Sequence, residues 1–95
     1  MSKIQHEIIQ LTRDYVRSGG KTNRRQQLKR MLAFGIFAEQ MGAKRIENIG
    51  GRHVIHYYKA HRHFSNTTLL NHYYAIKTLF SLSRKSAPPK PIERV

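Results

Sequence analysis

The pattern of apolar and polar positions divides the chain into amphipathic stretches, the longest of which runs from Lys21 to Gly42. Its apolar residues recur at spacings of three and four, which is typical of an α-helix with one buried face. These residues are Leu28, Met31, Leu32, Phe34, Phe37, Ala38 and Met41. Thr22 or Asn23 is predicted to cap the start of this helix, and Gly42 to end it in a left-handed conformation.

The stretches before and after the long one also have apolar residues at spacings of three and four. The first helix is predicted from Lys3 to Arg17, where Ser18-Gly19-Gly20 ends it. A third helix is predicted from about Arg52 to Arg62. The apolar stripes are Ile4, Ile8, Leu11 and Tyr15 in the first helix, and Val54, Tyr57 and Tyr58 in the third.

The third and fourth helices are set apart by short breaks. Ile46 and Ile49 are spaced to enter the core from a loop or short turn before Gly50-Gly51. Ser65 or Asn66 is predicted to cap a fourth helix that runs to about Ser83. The buried stripe of this helix is Leu69, Tyr73, Ile76 and Phe80.

No segment alternates with period two for long enough to predict a sheet, so the pattern predicts an all-α fold, a small bundle of four helices. The bundle would occupy residues 1–85 as one domain. Pro88, Pro89 and Pro91 cannot continue a helix, so residues 86–95 are expected to form an extended tail or an interdomain linker.

The charge balance of the chain indicates which class of binding partner to expect. In 95 residues there are 18 Lys and Arg against 5 Asp and Glu, a formal net charge of +13 with a pI near 10.8. So many cationic side chains repel one another, and binding to a polyanion would compensate this repulsion. Nucleic acid is the first candidate for the polyanion and an anionic membrane surface is the second. No apolar run is long enough to cross a membrane.

Basic residues crowd the first half of the long helix without entering its apolar stripe: Lys21, Arg24, Arg25, Lys29 and Arg30. Arg25 and Lys29 stand four residues apart, where like charges on a helix repel each other. An anionic ligand against this face would relieve the repulsion, although a solvated basic face is the alternative. The third helix has a second basic face with Arg52, His56, Lys59 and Arg62.

The fourth helix is polar and nearly uncharged opposite its apolar stripe. Hydroxyls, an amide and a phenol share this face, with Lys77 and Ser81 beside it. Such groups are suited to hydrogen bonds with base edges or phosphates, and the alternative is again an ordinary solvated face. The shared positions are Thr67, Asn71, Tyr74 and Thr78.

Metal and enzyme chemistry are poorly supported. Of the 6 histidines, His53 and His56 are spaced for one helix face and His61 and His63 follow, but there is no cysteine and cations surround them. These histidines are therefore expected on the surface of a basic helix. The 5 acids are scattered with no pair spaced for acid–base catalysis. No cofactor, metal site or enzymatic activity is predicted.

Several motifs resemble the N-terminal SAM-like, core-binding domain of phage-type integrases, the tyrosine recombinases. The resemblance covers about Asn23 to Pro91, mostly at core and cap positions, and ends in a Pro-rich exit. Its residues are Arg30-Met31-Leu32 and Phe37; Ile46, Ile49, His53-Val54 and Tyr57; and Ser65-Asn66-Thr67-Thr68 followed by Asn71, Ala75, Ile76, Leu79 and Phe80.

The resemblance implies a SAM-like orthogonal bundle that clamps one side of double-stranded DNA. The expected DNA-binding residues, which agree with the faces chosen from charge and periodicity, are Lys21, Arg24, Arg25, Lys29, Arg52, Lys59, Thr67, Asn71, Tyr74, Lys77 and Thr78. Further expected partners are a catalytic recombinase domain or neighbouring protomers on DNA. The expected location is the cytoplasm, with a bacterial or phage-encoded protein at the nucleoid.

The family's catalytic domain contributes a His-x-x-Arg motif and a nucleophilic tyrosine, and no His-x-x-Arg is found here. The chain as given is therefore expected to bind DNA without cutting or joining it, as an excised domain, a split-gene remnant or an independent protein. A second hypothesis is a small basic RNA-binding or ribosome-associated protein, which exposed Tyr58 and Tyr74 would favour. A third is an interaction protein with an acidic partner or anionic lipid.

Overall fold

The computed structural model of the chain describes residues 2–18 and 20–91, and the side chain of Lys21, a predicted site residue, lies outside this description. These residues form α1 (Lys3–Arg17), α2 (Lys21–Gln40), α3 (Gly51–Ala60) and α4 (Asn66–Leu82). A short 3-10 turn, Ile46–Asn48, precedes α3, and the described ranges contain no strand. The prediction of an all-α bundle of four helices is confirmed.

Several helix ends follow local sequence signals, whereas α3 ends at Ala60, before the predicted Arg62. Ser65 caps α4 as predicted, because its Oγ accepts the N–H of Thr68 at 3.1 Å. Gly42 has a φ of 105° just after α2, as predicted for a glycine stop. The predicted cap of α2 at Thr22 or Asn23 is wrong. The helix begins at Lys21 after Gly20, whose φ is 25°, and it has no side-chain cap.

The core is arranged around α2, which packs against each of the other three helices. Phe34 lies at its centre, with ring centroids 5.4 Å from Tyr57 of α3 and 6.3 Å from Phe80 of α4. The predicted stripe of α4 is buried at all four positions, Leu69, Tyr73, Ile76 and Phe80. Hydrophobic burial of these stripes against α2 is the main stabilising contribution to the fold.

Two residues assigned to the buried stripes are instead exposed. Met41 is 38% exposed because α2 ends at Gln40 and the chain turns away. Leu11 of α1 is 36% exposed, whereas the neighbouring Thr12 is 1% exposed. The Thr12 hydroxyl donates to the carbonyl of Ile8 at 2.7 Å, so it can be buried without losing a hydrogen bond. The buried face of α1 is therefore turned from Leu11 toward Thr12.

Gly35 allows α1 to approach α2 closely. A Cβ atom built at this buried glycine would lie 2.6 Å from Cδ1 of Ile8 and 3.0 Å from Cγ2 of Ile4. Both isoleucines are fully buried, so they have little space into which to move. The absence of a side chain at Gly35 sets how closely the two helices pack.

Glu7 attaches the 3-10 turn to α1. Its carboxylate accepts the backbone N–H of Ile46 at 3.1 Å and a hydrogen bond from Nη2 of Arg45 at 3.2 Å. Ile46 and Ile49 are buried beside it, which confirms that this connection contributes to the core. α1 thus packs against α2 and also positions the turn that leads into α3.

The described part of the tail, residues 86–91, has no helix, which agrees with the prediction from its prolines. It nevertheless packs back onto α3. Pro88 is buried, and the Tyr58 hydroxyl donates to the carbonyl of Pro89 at 2.8 Å. These contacts make residues 86–91 part of the packed bundle, while the proposed division of the chain at residue 85 stays a prediction.

Candidate nucleic-acid interface

The cations of α2 fall into two groups. Arg25 and Lys29 are exposed, and in the described part of the chain neither makes a hydrogen bond or ion pair. Arg24 is engaged within the protein. Its Nη1 donates to the carbonyl of Tyr15 at 2.7 Å and to the Ser18 hydroxyl at 2.9 Å, and its guanidinium lies 4.5 Å from the Tyr15 ring centroid. Arg24 therefore satisfies carbonyl and hydroxyl groups at the end of α1 and holds α1 to α2.

The exposed side of α3 carries a second cationic surface. Arg52, Ile55, His56 and Lys59 are all exposed and define what is here called the α3 outer face. Within the described ranges, Arg52 and Lys59 have no hydrogen bond or ion pair. Val54 and Tyr57, on the opposite side of the helix, are 0% and 1% exposed. The outer face is consequently presented by a helix that is firmly packed behind it.

The polar face of α4 is less available than its sequence indicates. Tyr74 is 50% exposed, and Thr67 and Lys77 are exposed beside it. Asn71 is half-buried, and the Thr78 hydroxyl donates to the carbonyl of Tyr74 at 3.0 Å within the helix. The Thr78 hydroxyl therefore retains only its acceptor capacity toward a ligand.

The structure separates the predicted basic face of α2 from the polar face of α4. These two helices pack their buried stripes against each other, with Phe34 meeting Phe80. Because exposed and buried faces are opposite on each helix, the Arg25–Lys29 surface and the Tyr74 surface point away from each other. The predicted site residues of α2 and those of α4 thus form two distinct surfaces and not one continuous patch.

Among the residues that the structure describes, every acidic side chain lies in the first half of the sequence. Glu7, Asp14, Glu39 and Glu47 all precede Asn48, and Glu93 lies outside the described residues. Arg45 lies 3.2 Å from Glu7 and 3.9 Å from Glu47. From Asn48 to Pro91 the sequence has no Asp or Glu and 7 Lys and Arg: Arg52, Lys59, Arg62, Lys77, Arg84, Lys85 and Lys90. The α3 outer face therefore lies in the longest stretch of the sequence without an acidic residue.

The expectation that these histidines lie on the surface of a basic helix is wrong for His53 and His61, and His72 of α4 is half-buried as well. His53 is 6% exposed, and its Nδ1 accepts the backbone N–H of Gly50 at 3.1 Å. His61 and His72 are half-buried among aromatic rings. Nδ1 of His72 shares a 3.0 Å hydrogen bond with the Tyr57 hydroxyl, and its ring stacks on Phe64 at 5.2 Å. Flat, amphipathic rings can fill such a cluster while keeping a polar atom bonded.

Burial shifts the pKa of several of these groups. It lowers the pKa of His53, with further lowering by Arg52, and it lowers the pKa of His72, with further lowering by Arg30 and His61. Burial also raises the pKa of Tyr57 to about 12. Both shifts favour the neutral forms of Tyr57 and His72, which share the 3.0 Å hydrogen bond. Within the described residues, no three His or acidic side chains are grouped to hold a metal.

We expect the free energy of unfolding to fall as the pH is lowered from about 7.5 to about 5.5. His53 and His72 have folded-state pKa values below the reference value of 6.5, so the unfolded chain binds protons first. The two histidines contribute fully to the free energy of unfolding above the reference pKa, and this contribution is lost progressively as the pH falls below it. Urea denaturation at a series of pH values, followed by circular dichroism, measures the slope.

His72→Phe is the matched variant for this pH dependence, because phenylalanine can retain the stacking on Phe64 without binding a proton. Its stability should depend less steeply on pH than that of the wild-type chain. An unchanged slope would show that His72 does not couple protonation to folding.

Comparison with protein-family models, with curated proteins and with solved structures finds no match to this chain. No helix within the described ranges combines the length and apolar character needed to span a membrane. The structure is an all-α bundle with exposed, unpaired cations on α2 and on α3 and a mixed polar surface on α4.

Proposed function

We propose that this chain is a DNA-binding module similar to the N-terminal core-binding domain of phage-type integrases. The observation that carries the proposal is the set of exposed, unpaired cations on α2 and α3, with no acidic residue from Asn48 to Pro91. Such cations displace the counterions condensed on a nucleic-acid backbone, and this release supplies affinity without reading sequence. Arg25, Lys29, Arg52 and Lys59 are the proposed phosphate contacts.

The positions that carry the family resemblance support a common helical packing. Ser65 caps α4, and Ile46, Ile49 and Ile76 are buried. The SAM-like arrangement of the bundle is part of the proposal, as is its partnership with a catalytic recombinase domain or with neighbouring protomers on DNA. The chain itself would bind DNA without cutting or joining it, at a bacterial or phage nucleoid.

Arg24 has a different role in this proposal from the one its sequence position suggested. Its guanidinium stabilises the junction of α1 and α2 through Tyr15 and Ser18. The polar face of α4, with Thr67, Tyr74 and Lys77, is proposed as a separate contact surface. Because the outer faces of α2 and α4 point away from each other, one side of a duplex would meet only one of these two faces, so the binding residues are expected to contribute unequally.

RNA is the second candidate ligand because of one observation. Tyr74 is 50% exposed, and an exposed aromatic ring next to polar and cationic groups can stack on an unpaired base. Tyr58 does not add to this surface, because it is half-buried and its hydroxyl is bonded to Pro89. Duplex DNA is preferred here because the unpaired cations of α2 and α3 share their helix faces with no exposed Phe, Tyr or Trp among the described residues.

Fluorescence anisotropy distinguishes these ligands. A labelled duplex of random sequence is titrated with protein at several salt concentrations, with and without an RNA hairpin as competitor. Tight binding that weakens steeply with salt and resists the hairpin supports the DNA-binding module. Better competition by the hairpin would transfer the proposal to RNA. No binding of either at low salt would reject nucleic acid as the partner.

The Arg25→Ala/Lys29→Ala variant should bind random duplexes more weakly and reduce the salt slope by about two units, roughly 0.9 for each phosphate that is no longer neutralised. The weakening should be similar for unrelated sequences, because phosphate contacts carry no base information. Anisotropy titrations across a salt series measure both quantities.

Lys3→Ala/Arg13→Ala is the matched control, since it removes the same charge from exposed positions on α1. This variant should keep a salt slope close to that of the wild-type chain. Equal weakening in the two double variants would mean that only net charge matters and that α2 is not a specific contact.

A further inference from the structure

The α3 outer face combines charge with one strongly exposed aliphatic side chain. Ile55 is 44% exposed, more than Leu11, Ile36 or Met41, the other large non-aromatic hydrophobic residues that are exposed in the described chain. Arg52 precedes it by three positions and Lys59 follows it by four, so cations flank it along the helix. An isolated aliphatic residue between unpaired cations has a composition unlike that of an apolar protein-docking patch.

We propose that α3 enters the major groove of DNA and that Ile55 reads thymine through its C5-methyl group. This inference rests on the proposed DNA-binding function. The major groove is wide enough for an α-helix and presents the thymine methyl as the apolar feature of a base-pair edge. The isoleucine side chain can make an apolar contact with the thymine methyl group. The cations on either side of it can meet the phosphates or guanine acceptors on either side of that methyl group.

The spacing along α3 fits this geometry. Arg52 and Lys59 are seven residues apart, which corresponds to about 10 Å along the helix axis. This distance is close to three base-pair steps of roughly 3.4 Å each. Ile55 lies between the two cations, so the three side chains can reach neighbouring base pairs or the phosphates that border them. Lipid binding would require a broader apolar face than one side chain.

The helix is held rigidly enough to present these side chains in one register. On its inner side Val54 and Tyr57 are fully buried, and the Tyr58 hydroxyl bonds the tail at Pro89. Nδ1 of His53 accepts the N–H of Gly50 at the start of the helix. A reading element benefits from this kind of support, because loosely held side chains discriminate poorly.

Two neighbouring features favour α3 over α4 as the reading helix. Lys90, next to Pro89 in the docked tail, is exposed and adds a cation alongside α3. On α4, by contrast, Thr78 uses its only hydroxyl proton within the helix and Asn71 is half-buried. The exposed, unpaired side chains best placed for base readout are therefore those of the α3 outer face.

The test begins with selection of preferred sites from a pool of random duplexes by the wild-type protein. Each thymine of the selected site is then replaced in turn by uracil, which removes only the methyl group. We expect at least one replacement to weaken wild-type binding roughly three- to five-fold, the effect of one buried methyl contact. Ile55→Ser should lose this discrimination while keeping its salt slope on random duplexes.

Ile36→Ser is the matched control, since Ile36 is 39% exposed on α2 and the change is chemically the same. It should preserve the thymine–uracil discrimination. Circular dichroism verifies folding, and Ile55→Val serves as a milder variant should Ile55→Ser be unstable; it should weaken the discrimination in part.

The outcomes separate this inference from the proposed function. If wild-type protein binds random duplexes in a salt-dependent way but shows no preferred site, or no response to uracil, the thymine-reading role is overturned and the DNA-binding module stands. Retained discrimination in Ile55→Ser, or its loss in Ile36→Ser, also overturns the role of Ile55. Absence of duplex binding by the wild-type chain would instead reject the proposed function itself.

Discussion

Phe34→Ala is expected to lower the free energy of unfolding by about 3–5 kcal/mol. The Phe34 ring is 0% exposed and packs against Tyr57 of α3 and Phe80 of α4. Its removal leaves a cavity at the junction of α2, α3 and α4, where close packing limits how far the neighbours can relax. Urea denaturation followed by circular dichroism gives the change directly.

Phe37→Ala is the matched comparison, one turn further along α2. The sequence places both rings on the same apolar stripe, and full burial of Phe37 would predict an equal cost. In the structure Phe37 is only half-buried, with its ring 5.3 Å from Tyr57 and 6.2 Å from His61. The destabilisation by Phe37→Ala should therefore be clearly smaller, and an equal or larger one would contradict the packing described for Phe34.

Gly35→Leu should destabilise the protein by about 3 kcal/mol or more, at the upper end of overpacking effects. A Cβ at this position already lies 2.6 Å from Cδ1 of Ile8, and a longer side chain would force α1 away from α2. Separation of these helices would also expose Ile4, which is fully buried. Denaturant unfolding and thermal unfolding both measure the effect.

Ala33→Leu provides the control for Gly35→Leu. It adds a large side chain to the same helix at an exposed position, so its effect on stability should be small. If the two variants unfold at the same denaturant concentration, the close approach of α1 and α2 at Gly35 does not contribute to stability. If only Gly35→Leu is destabilised, the experiment supports the close contact between α1 and α2 at Gly35.

Folding and ligand binding meet in α2, because one side of this helix forms the core and the other carries Arg25 and Lys29. Substitutions at Phe34 or Gly35 are expected to reduce DNA binding only through loss of folded protein. Substitutions at Arg25 and Lys29 remove exposed cations that repel each other, so they should leave stability largely intact. Comparison of unfolding curves with binding curves separates the two kinds of effect.

The sequence alone was sufficient to place the helices and most of their buried faces. α1 was predicted within its observed bounds, Lys3–Arg17, and the stripe of α4 was correct at each predicted position. Ser65 was recognised as a cap of α4, and Ile46 and Ile49 as core residues of a turn. These features depend on helical periodicity and on side chains that bond to backbone a few residues away, so they can be predicted from neighbouring residues.

The tertiary structure decided how residues far apart in sequence are used. Arg24 looked like its neighbour Arg25, yet it is bonded to Tyr15 and Ser18. His53 is buried and His72 is half-buried against Tyr57 of α3, Thr12 replaces Leu11 at the helix interface, and the tail packs on Tyr58. None of these contacts has a local sequence signal, because each depends on which faces of the helices meet.

The same distinction applies to the candidate interface. Composition and spacing were enough to predict a basic surface and to name most of its residues. Only the packing of α2 against α4 showed that their outer faces point away from each other, and only the burial of Val54 and Tyr57 left Arg52, Ile55 and Lys59 together on one exposed face. Periodicity determines which residues share a face of one helix, whereas the direction of that face in the molecule follows from long-range contacts between helices.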